Sequence, residues 1–373
     1  MNENIQRRLV LAAARKIVIK IGTGVLTRKE GGIDLDCIEE LCRQVHELGE
    51  RGVRVIVVTS GSIGTGMHAL GLKRRPKLLP ELQAVASVGQ NHLMIAYENA
   101  LNRHGRHAGQ ILLTREDLND RRRFVNAANT IRQLLRMGVV PIVNENDSVS
   151  TDEIRFGGND ELAAQVMHAL KADALVFLSN VDGLLDAEGR LIDVVDKVTV
   201  DTLQLDTGEK SALGIGGMQT KLRRIQEITD SGDPVVLVNG KTPNIIVRAM
   251  SGEAVGTLFC PAPKRLAGRK RWLSFSAKAC GTISIDDGAM QALVVHKKSL
   301  LASGVRSIEG QFSQGDIVAV AGPEQQIVAR GITNYSSAEL DAIKGAKTSQ
   351  IESLLGYKFY DEVIHRDNLV TLD

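Results

Sequence analysis

The fold of this chain is decided by residues 139–166, which read VVPIVNENDSVSTDEIRFGGNDELAAQV. The stretch begins with Val139–Val143, a short apolar run that has the length and composition of a buried parallel strand. Polar residues follow directly at Asn144–Asp147 and again at Gly157–Glu161, after which apolar residues recur at helical spacing. Ligands bind at the carboxyl ends of strands in an open α/β sheet, so the stretch predicts both the sheet and its binding crevice.

The same alternation of strand and helix runs through residues 16–239. The predicted strands are Lys16–Ile21, Val53–Val58, Gln110–Leu113, Val139–Val143, Ala174–Leu178 and Val235–Val238. The predicted helices are Leu35–Leu48, Glu81–Arg103, Phe124–Met137, a helix starting at Asn159, and Gln219–Ser231. Helices of this length between strands indicate βαβ units. We therefore expect an α/β fold with an open, mainly parallel sheet sandwiched by helices.

The pattern changes near Val255, where a proline-containing and then basic segment, residues 261–271, is predicted to be a linker. Beyond it, short strands alternate with glycine turns, which is typical of a small β-rich domain, here a β-barrel. Its predicted strands include Thr282–Ile285, Ala292–Val295, Ile317–Ala321 and Ile327–Ala329. We therefore predict two domains, residues 1–265 and 276–373.

Composition limits the class of protein. The 373 residues exceed one ordinary core, and no apolar run approaches the roughly 20 residues that span a bilayer. The four cysteines form no CxxC pair, which favours reduced thiols over disulfides or a zinc site. We expect a cytoplasmic protein without a membrane segment, and a ragged N-terminal extension over residues 1–15.

Several loops have the composition of phosphate-binding loops. The common P-loop is absent, because Leu72 stands where its lysine should follow the second glycine. Gly22–Gly24, Ser60–Gly66 and Gly214–Lys221 each precede a possible helix. Glycines let backbone N–H groups turn toward an anion, and the N-terminus of a helix adds a favourable dipole.

Two lysines and two aspartates belong to the same interpretation. Lys20 ends a strand directly before a glycine loop, and Lys221 lies in the first turn of a helix, where the helix dipole disfavours a cation unless an anion binds there. Both also fit ordinary surface lysines. Asp147 and Asp160 are the carboxylates of interest, although either alone is more often a helix cap or a turn residue.

In this order along the chain, the motifs resemble those of the amino acid kinase superfamily, and most closely the branch that phosphorylates glutamate. The resemblance extends over residues 16–367. The motifs are Lys20–Thr23, Thr59–Gly61, Val88–Gln90, Leu113–Arg115, Asn144–Asp147, Gly158–Asp160, Gly216–Lys221, Gly256–Phe259 and Arg269–Trp272. The C-terminal region resembles a PUA domain, a small barrel known from RNA-modification enzymes.

The resemblance implies phosphorylation of the γ-carboxylate of L-glutamate to L-glutamyl 5-phosphate, the first step of proline biosynthesis, with ATP and Mg²⁺ as cofactors. It also implies feedback inhibition by proline, a homo-oligomer (dimer or tetramer), and glutamyl phosphate reductase as a partner. RNA is not an expected partner. The Mg²⁺ ligands stay unassigned.

Matched positions imply a role for each candidate residue. Lys20 and Lys221 would neutralise the transferring phosphoryl group, and Asp160 would orient the two lysines. The implied glutamate-binding residues are Ser60, Gly61, Asp147 and Asn159, with Asp147 suited to the ammonium group. The implied nucleotide-binding residues are Lys20, Ser179, Asn180, Ile215, Gly216, Gly217, Met218, Gln219, Thr220 and Lys221.

Two positions depart from the pattern of the family. Ser179-Asn180 stands where Thr-Asp is common at the nucleotide edge, and Gly158 stands where an acidic residue commonly precedes the Asn-Asp pair. A carboxylate is thus missing near the glutamate or Mg²⁺ site.

Two alternatives stay open on the sequence. The chain could be a different acyl-phosphate-forming kinase, for aspartate or N-acetylglutamate, but the Asn144–Asp147 signature and the appended β-domain argue against that. It could act on RNA through the β-domain and Arg269–Arg271. A net charge of +2 and 3% aromatic residues make RNA a weak alternative, and a charge run before a domain is usually a solvated linker.

Overall fold

The computed structural model describes residues 3–28, 31–150, 158–205, 218–263 and 279–372. It divides the chain into two compact units, residues 1–265 and 266–373. Residues 264–271 of the predicted linker, which include the basic segment Arg269–Arg271, lie outside the described residues, so those predictions are untested.

The first unit is built on an eight-stranded sheet. Its strands are β1 (Lys16–Ile21), β2 (Arg54–Val58), β3 (Ala108–Leu113), β4 (Val140–Glu145), β5 (Ala174–Ser179), β6 (Val194–Val195), β7 (Val235–Asn239) and β8 (Thr257–Phe259). They lie in the order β3-β4-β2-β1-β5-β7-β8-β6, and every neighbouring pair is parallel except β7 with β8. The central strand β1 pairs with β2 and β5, which places Lys20 beside Val58 and Phe177.

Helices cover both faces of this sheet. They are α1 (Glu3–Ala12), α2 (Thr23–Leu26), α3 (Leu35–Glu50), α4 (Ser62–Ala69), α5 (Leu79–Asn102), α6 (Arg115–Asn119), α7 (Arg121–Arg136), α8 (Gly158–Leu170), α9 (Val200–Gln204), α10 (Met218–Asp230) and α11 (Ile245–Met250). Successive strand residues point to opposite faces, and Val18 and Ile19 of β1 are both fully buried. A strand buried on both faces explains the nearly continuous apolar runs in the sequence.

The predicted α/β class and mainly parallel sheet are confirmed, as are the predicted strands and helices of this unit, with their ends shifted by a few residues. The short helix α4 and the edge strands β6 and β8 were not predicted. No helix in the described parts of the chain is long and apolar enough to cross a membrane.

The prediction of a ragged N-terminal extension is wrong for residues 3–12, which form α1. Its Arg8 is fully buried and pairs with the carboxylate of Asp193. The Arg8 guanidinium also donates to the carbonyl oxygens of Val255 and Gly256, each at 2.9 Å. A buried arginine whose donors are satisfied in this way fixes α1 to the β6–β8 edge of the sheet.

The second unit contains a five-stranded sheet with the order β10-β9-β11-β12-β13. Its elements are β9 (Gly281–Ile285), α12 (Asp287–Val294), β10 (Val305–Gly310), β11 (Ile317–Ala321), β12 (Ile327–Ile332), α13 (Ser337–Ile343), α14 (Ile351–Leu355) and β13 (Leu369–Thr371). Only β9 and β11 pair in parallel among these described strands. The small β-rich domain is thus confirmed.

One predicted strand of this unit is wrong. Residues 292–295 lie in and just after α12, a helix that begins where the Asp286 side chain accepts from Ala289 N at 2.8 Å. A four-residue apolar run does not distinguish a strand from a buried helix turn, and here the capping aspartate decides.

Candidate active site

The polar clusters that follow the strands meet at one edge of the sheet. β1, β2, β4 and β5 are mutually parallel neighbours, so their carboxyl ends lie side by side. The residues directly after them include Gly22, Thr59–Gly61, Asn146–Asp147 and Asn180. The carboxyl ends of these four strands therefore form the binding crevice that the sequence predicts.

Lys20 and Asp160 form an ion pair at the centre of this edge. The Lys20 Nζ atom, at the end of β1, lies 2.5 Å from Asp160 Oδ1 in the first turn of α8. The two side chains are 12% and 13% exposed, so solvent screens the pair only in part. The first turn of a helix also favours a carboxylate, and Asp160 therefore holds the lysine in a defined position.

Lys221 reaches the same edge from α10. Its Nζ atom donates to Ser179 Oγ at 3.0 Å, and Ser179 is the last residue of β5, the strand next to β1. Two cations thus approach neighbouring strand ends from different elements. Asp160 contacts Lys20, and its orientation of Lys221, which the resemblance to the family also implies, stays a prediction.

Asn159 occupies the centre of a carboxamide network. Its Nδ2 atom donates to the carbonyl oxygen of Thr59 at 2.6 Å, and it lies 2.9 Å from Asn144 Oδ1 and 3.0 Å from Ser60 Oγ. Asn144 in turn donates to Gln90 Oε1 of α5 at 2.8 Å. The network therefore joins the ends of β2 and β4 to the start of α8.

Asp147 is a half-buried carboxylate on the same side of the crevice. It accepts from Ser62 Oγ at 2.7 Å, at the start of α4. Burial raises the pKa of the Asp147 carboxyl, and the Ser62 hydrogen bond and the Arg75 guanidinium oppose that rise. The charged form of Asp147 has lost part of its hydration and is not fully compensated by the protein. A cationic group of a ligand would therefore stabilise it.

Close helix packing sets the position of the Ser60–Ser62 segment. Gly61 has φ 96°, a left-handed conformation that favours glycine, and it begins α4. Behind it, α4 crosses α5 so closely that a Cβ on Gly89 would overlap the carbonyl oxygen of Ser62. A Cβ on Gly66 would likewise overlap the carbonyl of Val85. The serines therefore lie where two glycines allow the helices to meet.

The expected nucleotide edge is only partly described. Asn180 follows Ser179 and packs against Gly24, where a Cβ would overlap its carboxamide. Met218 is buried at the start of α10, and Gln219 and Thr220 are exposed beside it. Ile215, Gly216 and Gly217 lie outside the described residues, so their predicted contacts with the nucleotide are untested.

Sequence reasoning missed several residues that the structure places at the site. Gln90 and Asn144 lay within recognised motifs and Ser62 within the candidate loop Ser60–Gly66, but none of the three had an assigned role, and Arg75 lay in no motif. A glutamine among the apolar residues of a long helix is the one usable signal, because a buried carboxamide needs partners.

No group of three or more His, Cys, Asp or Glu side chains placed to hold a metal ion occurs among the residues that the structure describes. Mg²⁺ usually binds through one or two carboxylates together with substrate phosphates and water, so it does not require such a group. The Mg²⁺ ligands stay unassigned.

Comparison with known families and proteins gives matches over both units. Residues 15–239 match the model of the amino acid kinase family, and residues 281–355 match that of the PUA domain. A protein of Caldanaerobacter subterraneus subsp. tengcongensis named "Glutamate 5-kinase" is 46% identical over 364 residues, which cover 96% of this chain and 98% of the relative. Proteins with the same name from Thermoanaerobacter sp. (strain X514) and Syntrophotalea carbinolica are 45% and 44% identical; they cover 96% and 98% of this chain, and 98% and 99% of their own lengths are matched.

Proposed function

This chain belongs to the amino acid kinase family, and we propose that it transfers the γ-phosphoryl group of ATP to the γ-carboxylate of L-glutamate. The product is L-glutamyl 5-phosphate, and the reaction is the first step of proline biosynthesis. The observation that carries the proposal is the convergence of Lys20 and Lys221 on the ends of β1 and β5, beside a pocket of carboxamides and carboxylates. Full-length relatives named "Glutamate 5-kinase" support the choice of substrate.

We propose that Lys20, Lys221, Asp160 and Ser179 form the phosphoryl end of the site. Phosphoryl transfer needs little covalent help from protein, because positioning and neutralisation of charge supply most of the catalysis. Lys20 and Lys221 stabilise the charge on the phosphoryl group as it moves between oxygens. Asp160 keeps Lys20 in place, and Ser179 does the same for Lys221.

The amino-acid end consists of Ser60, Gly61, Ser62, Asp147 and Asn159. Asp147 binds the ammonium group of glutamate, since its partly desolvated carboxylate gains a cationic partner there. Ser60 and the backbone around Gly61 hold a carboxylate of the substrate. Binding glutamate in a fixed orientation brings its γ-carboxylate oxygen in line with the phosphoryl group.

The nucleotide borders Ser179, Asn180 and the start of α10, with Ile215–Lys221 around its phosphates. Mg²⁺ is the second cofactor that we propose. When bound, it neutralises charge on the nucleotide phosphates. The described residues suit an ion that the nucleotide itself largely coordinates. Asp160 pairs with Lys20, so we do not assign it to the metal.

We further propose that proline inhibits the enzyme, that glutamyl phosphate reductase consumes its product, and that the chain works as a cytoplasmic homo-oligomer. The resemblance of the motifs and the names of the relatives support these proposals.

The test is consumption of ATP by the purified chain with Mg²⁺ and hydroxylamine, which traps acyl phosphates as hydroxamates. L-glutamate, L-aspartate and N-acetyl-L-glutamate are offered separately, and hydroxamate is expected from L-glutamate alone. Hydroxamate from one of the other acids would assign a different substrate, and none from any acid would refute the proposed function.

A further inference from the structure

Two backbone groups fix which way the carboxamides of Asn159 and Asn144 face. The atom of Asn159 that lies 2.6 Å from the carbonyl oxygen of Thr59 must be its nitrogen, because a carbonyl oxygen only accepts. The atom of Asn144 that lies 2.9 Å from the backbone N–H of Glu145 must be its oxygen, because an N–H only donates. Neither side chain can be turned over without breaking a hydrogen bond to the main chain.

The direction of the remaining hydrogen bonds follows from these two. Asn144 presents its nitrogen to Gln90 Oε1 at 2.8 Å and its oxygen to Asn159 Nδ2 at 2.9 Å. Asn159 Nδ2 also lies 3.0 Å from Ser60 Oγ, and because its two hydrogens face three acceptors, one of them is shared between two acceptors. Asn144 is 1% exposed and Gln90 9%, so water does not compete for these contacts.

This arrangement leaves two atoms available to a ligand, with opposite polarity. Asn159 Oδ1 is buried and has no hydrogen-bond partner among the residues that the structure describes, and it can only accept. The Ser60 hydroxyl accepts from Asn159, so its own proton is left to donate. Leaving a buried acceptor unpaired destabilises a protein, and such an atom at a binding site indicates a missing donor.

We infer that Asn159 Oδ1 receives the α-ammonium group of the amino acid, and that Gln90 and Asn144 are positioning residues that keep this oxygen facing the substrate. This inference rests on the proposed function. Asp147, held by Ser62 at the other end of the Ser60–Ser62 segment, supplies the compensating negative charge. At the amino-acid end, the acceptors Asn159 Oδ1 and Asp147 thus face the ammonium group of the substrate. The Ser60 hydroxyl, a donor, faces a carboxylate.

The site should therefore reject a substrate that lacks the ammonium group. Glutarate is L-glutamate without its amine and keeps both carboxylates. In the complex with glutarate, Asn159 Oδ1 and Asp147 would be removed from water without gaining a donor. A site built to bind a polar group discriminates strongly against an analogue that lacks it, and we expect kcat/KM for glutarate to be at least about a hundredfold below that for L-glutamate.

The matched variants for the positioning role are Gln90→Met and Gln90→Glu. Gln90 Nε2 has no hydrogen-bond partner in the described part of the chain, so methionine at position 90 removes only the hydrogen bond to Asn144 at similar volume. Glutamate at position 90 keeps an oxygen that accepts from Asn144 Nδ2. We expect Gln90→Met to reduce the preference for L-glutamate over glutarate about tenfold, the scale for losing one buried hydrogen bond. Gln90→Glu should restore it.

Hydroxamate formation is measured with both acids for the wild type and the two variants, together with the KM for ATP. Loss of preference through a higher KM for L-glutamate, with the KM for ATP unchanged, supports the inference. An equal loss of activity with both acids in Gln90→Met would indicate a purely structural role and overturn it.

Measurements on the wild type alone also test the inference. If glutarate is phosphorylated within about tenfold of L-glutamate, a difference too small for a buried polar contact, the inference fails while the proposed function stands. If the wild type phosphorylates neither acid, the proposed function itself fails. These outcomes hold even if Gln90→Met does not fold.

Discussion

At the phosphoryl end of the site two lysines supply full charges, whereas at the amino-acid end neutral carboxamides and hydroxyls make most of the contacts. Lys20 and Lys221 come from β1 and α10; Lys20 pairs with Asp160, and Lys221 donates to Ser179. Asn159, in contrast, is held by Thr59, Ser60 and Asn144 at once. Charge acts over several ångströms, but a hydrogen bond requires both distance and angle. The phosphoryl end should therefore determine rate, and the amino-acid end should determine which acid is accepted.

The largest effect is expected from Lys20→Ala and Lys221→Ala. Each removes a preorganised charge from the transition state, and we expect kcat to fall at least about a hundredfold. The matched control is Lys16→Met, on the same strand as Lys20 but at the opposite edge of the sheet, where its Nζ donates to Leu170 O. Steady-state kinetics check the prediction, and near-normal kcat in either alanine variant would refute the role of that lysine.

Asp147→Asn should act on the amino-acid end alone. Loss of the negative charge weakens binding of the ammonium, and we expect the KM for glutamate to rise at least about tenfold, the scale for removing a charged hydrogen-bond partner. The KM for ATP should not change. An effect confined to ATP would contradict the division of the site.

The raised pKa of Asp147 adds a dependence on pH. The folded protein holds this proton to higher pH than the unfolded chain does, so the charged carboxylate destabilises the free protein above the raised pKa. As pH falls through that value, stability without substrate should rise and the KM for glutamate should also rise. Asp147→Asn should abolish both trends.

Thermal unfolding without substrate, followed over pH, measures the stability trend of Asp147→Asn. Asp186→Asn is a control of opposite sign, because backbone hydrogen bonding from Arg190 lowers the pKa of the Asp186 carboxyl. The stability that the Asp186 carboxylate contributes is lost as pH falls. Equal behaviour of the two variants would show that the pKa of the Asp147 carboxyl is not raised.

Gly89→Ala tests whether helix packing positions the amino-acid end. The added Cβ would overlap the carbonyl of Ser62, so α4 must move away from α5. Overpacking of this kind destabilises a protein by about 1–3 kcal/mol. The KM for glutamate should rise, with the KM for ATP unchanged. Gly64→Ala, where the nearest atom is Thr27 Cγ2 at 3.8 Å, is the control and should be tolerated.

The smallest effect is expected from Ser179→Ala, which removes one hydrogen bond from Lys221. Losing this hydrogen bond should cost about 1 kcal/mol of transition-state stabilisation, which reduces kcat/KM about fivefold. The reduction should come from kcat and therefore apply equally to glutamate and ATP. Ser179→Thr keeps the hydroxyl and serves as the control. If Ser179→Ala changed the preference between glutamate and glutarate, that result would contradict the division of the site into two ends.

The sequence predicted the scaffold better than the contacts within the site. The strand β5, ALVFLS, is apolar up to its final serine because helices cover both faces of the sheet, and such runs are easily recognised. The Gln90–Asn144 hydrogen bond joins residues 54 positions apart, and nothing in either neighbourhood indicates that pairing. The prediction of a strand at 292–295 was wrong because a short apolar run is compatible with both a strand and a helix.

The buried Arg8 has a consequence for the order in which the first unit is completed. Its partners Asp193, Val255 and Gly256 lie 185, 247 and 248 residues further along the chain. During synthesis α1 emerges first, yet its arginine lacks Asp193 until residue 193 has left the ribosome, and the full set of partners until residue 256 has done so. Contacts of such long separation form late because the loop must close before they stabilise anything. We therefore expect a nascent chain that stops before Val255 to leave α1 accessible to proteases, and one that extends past Gly256 to protect it.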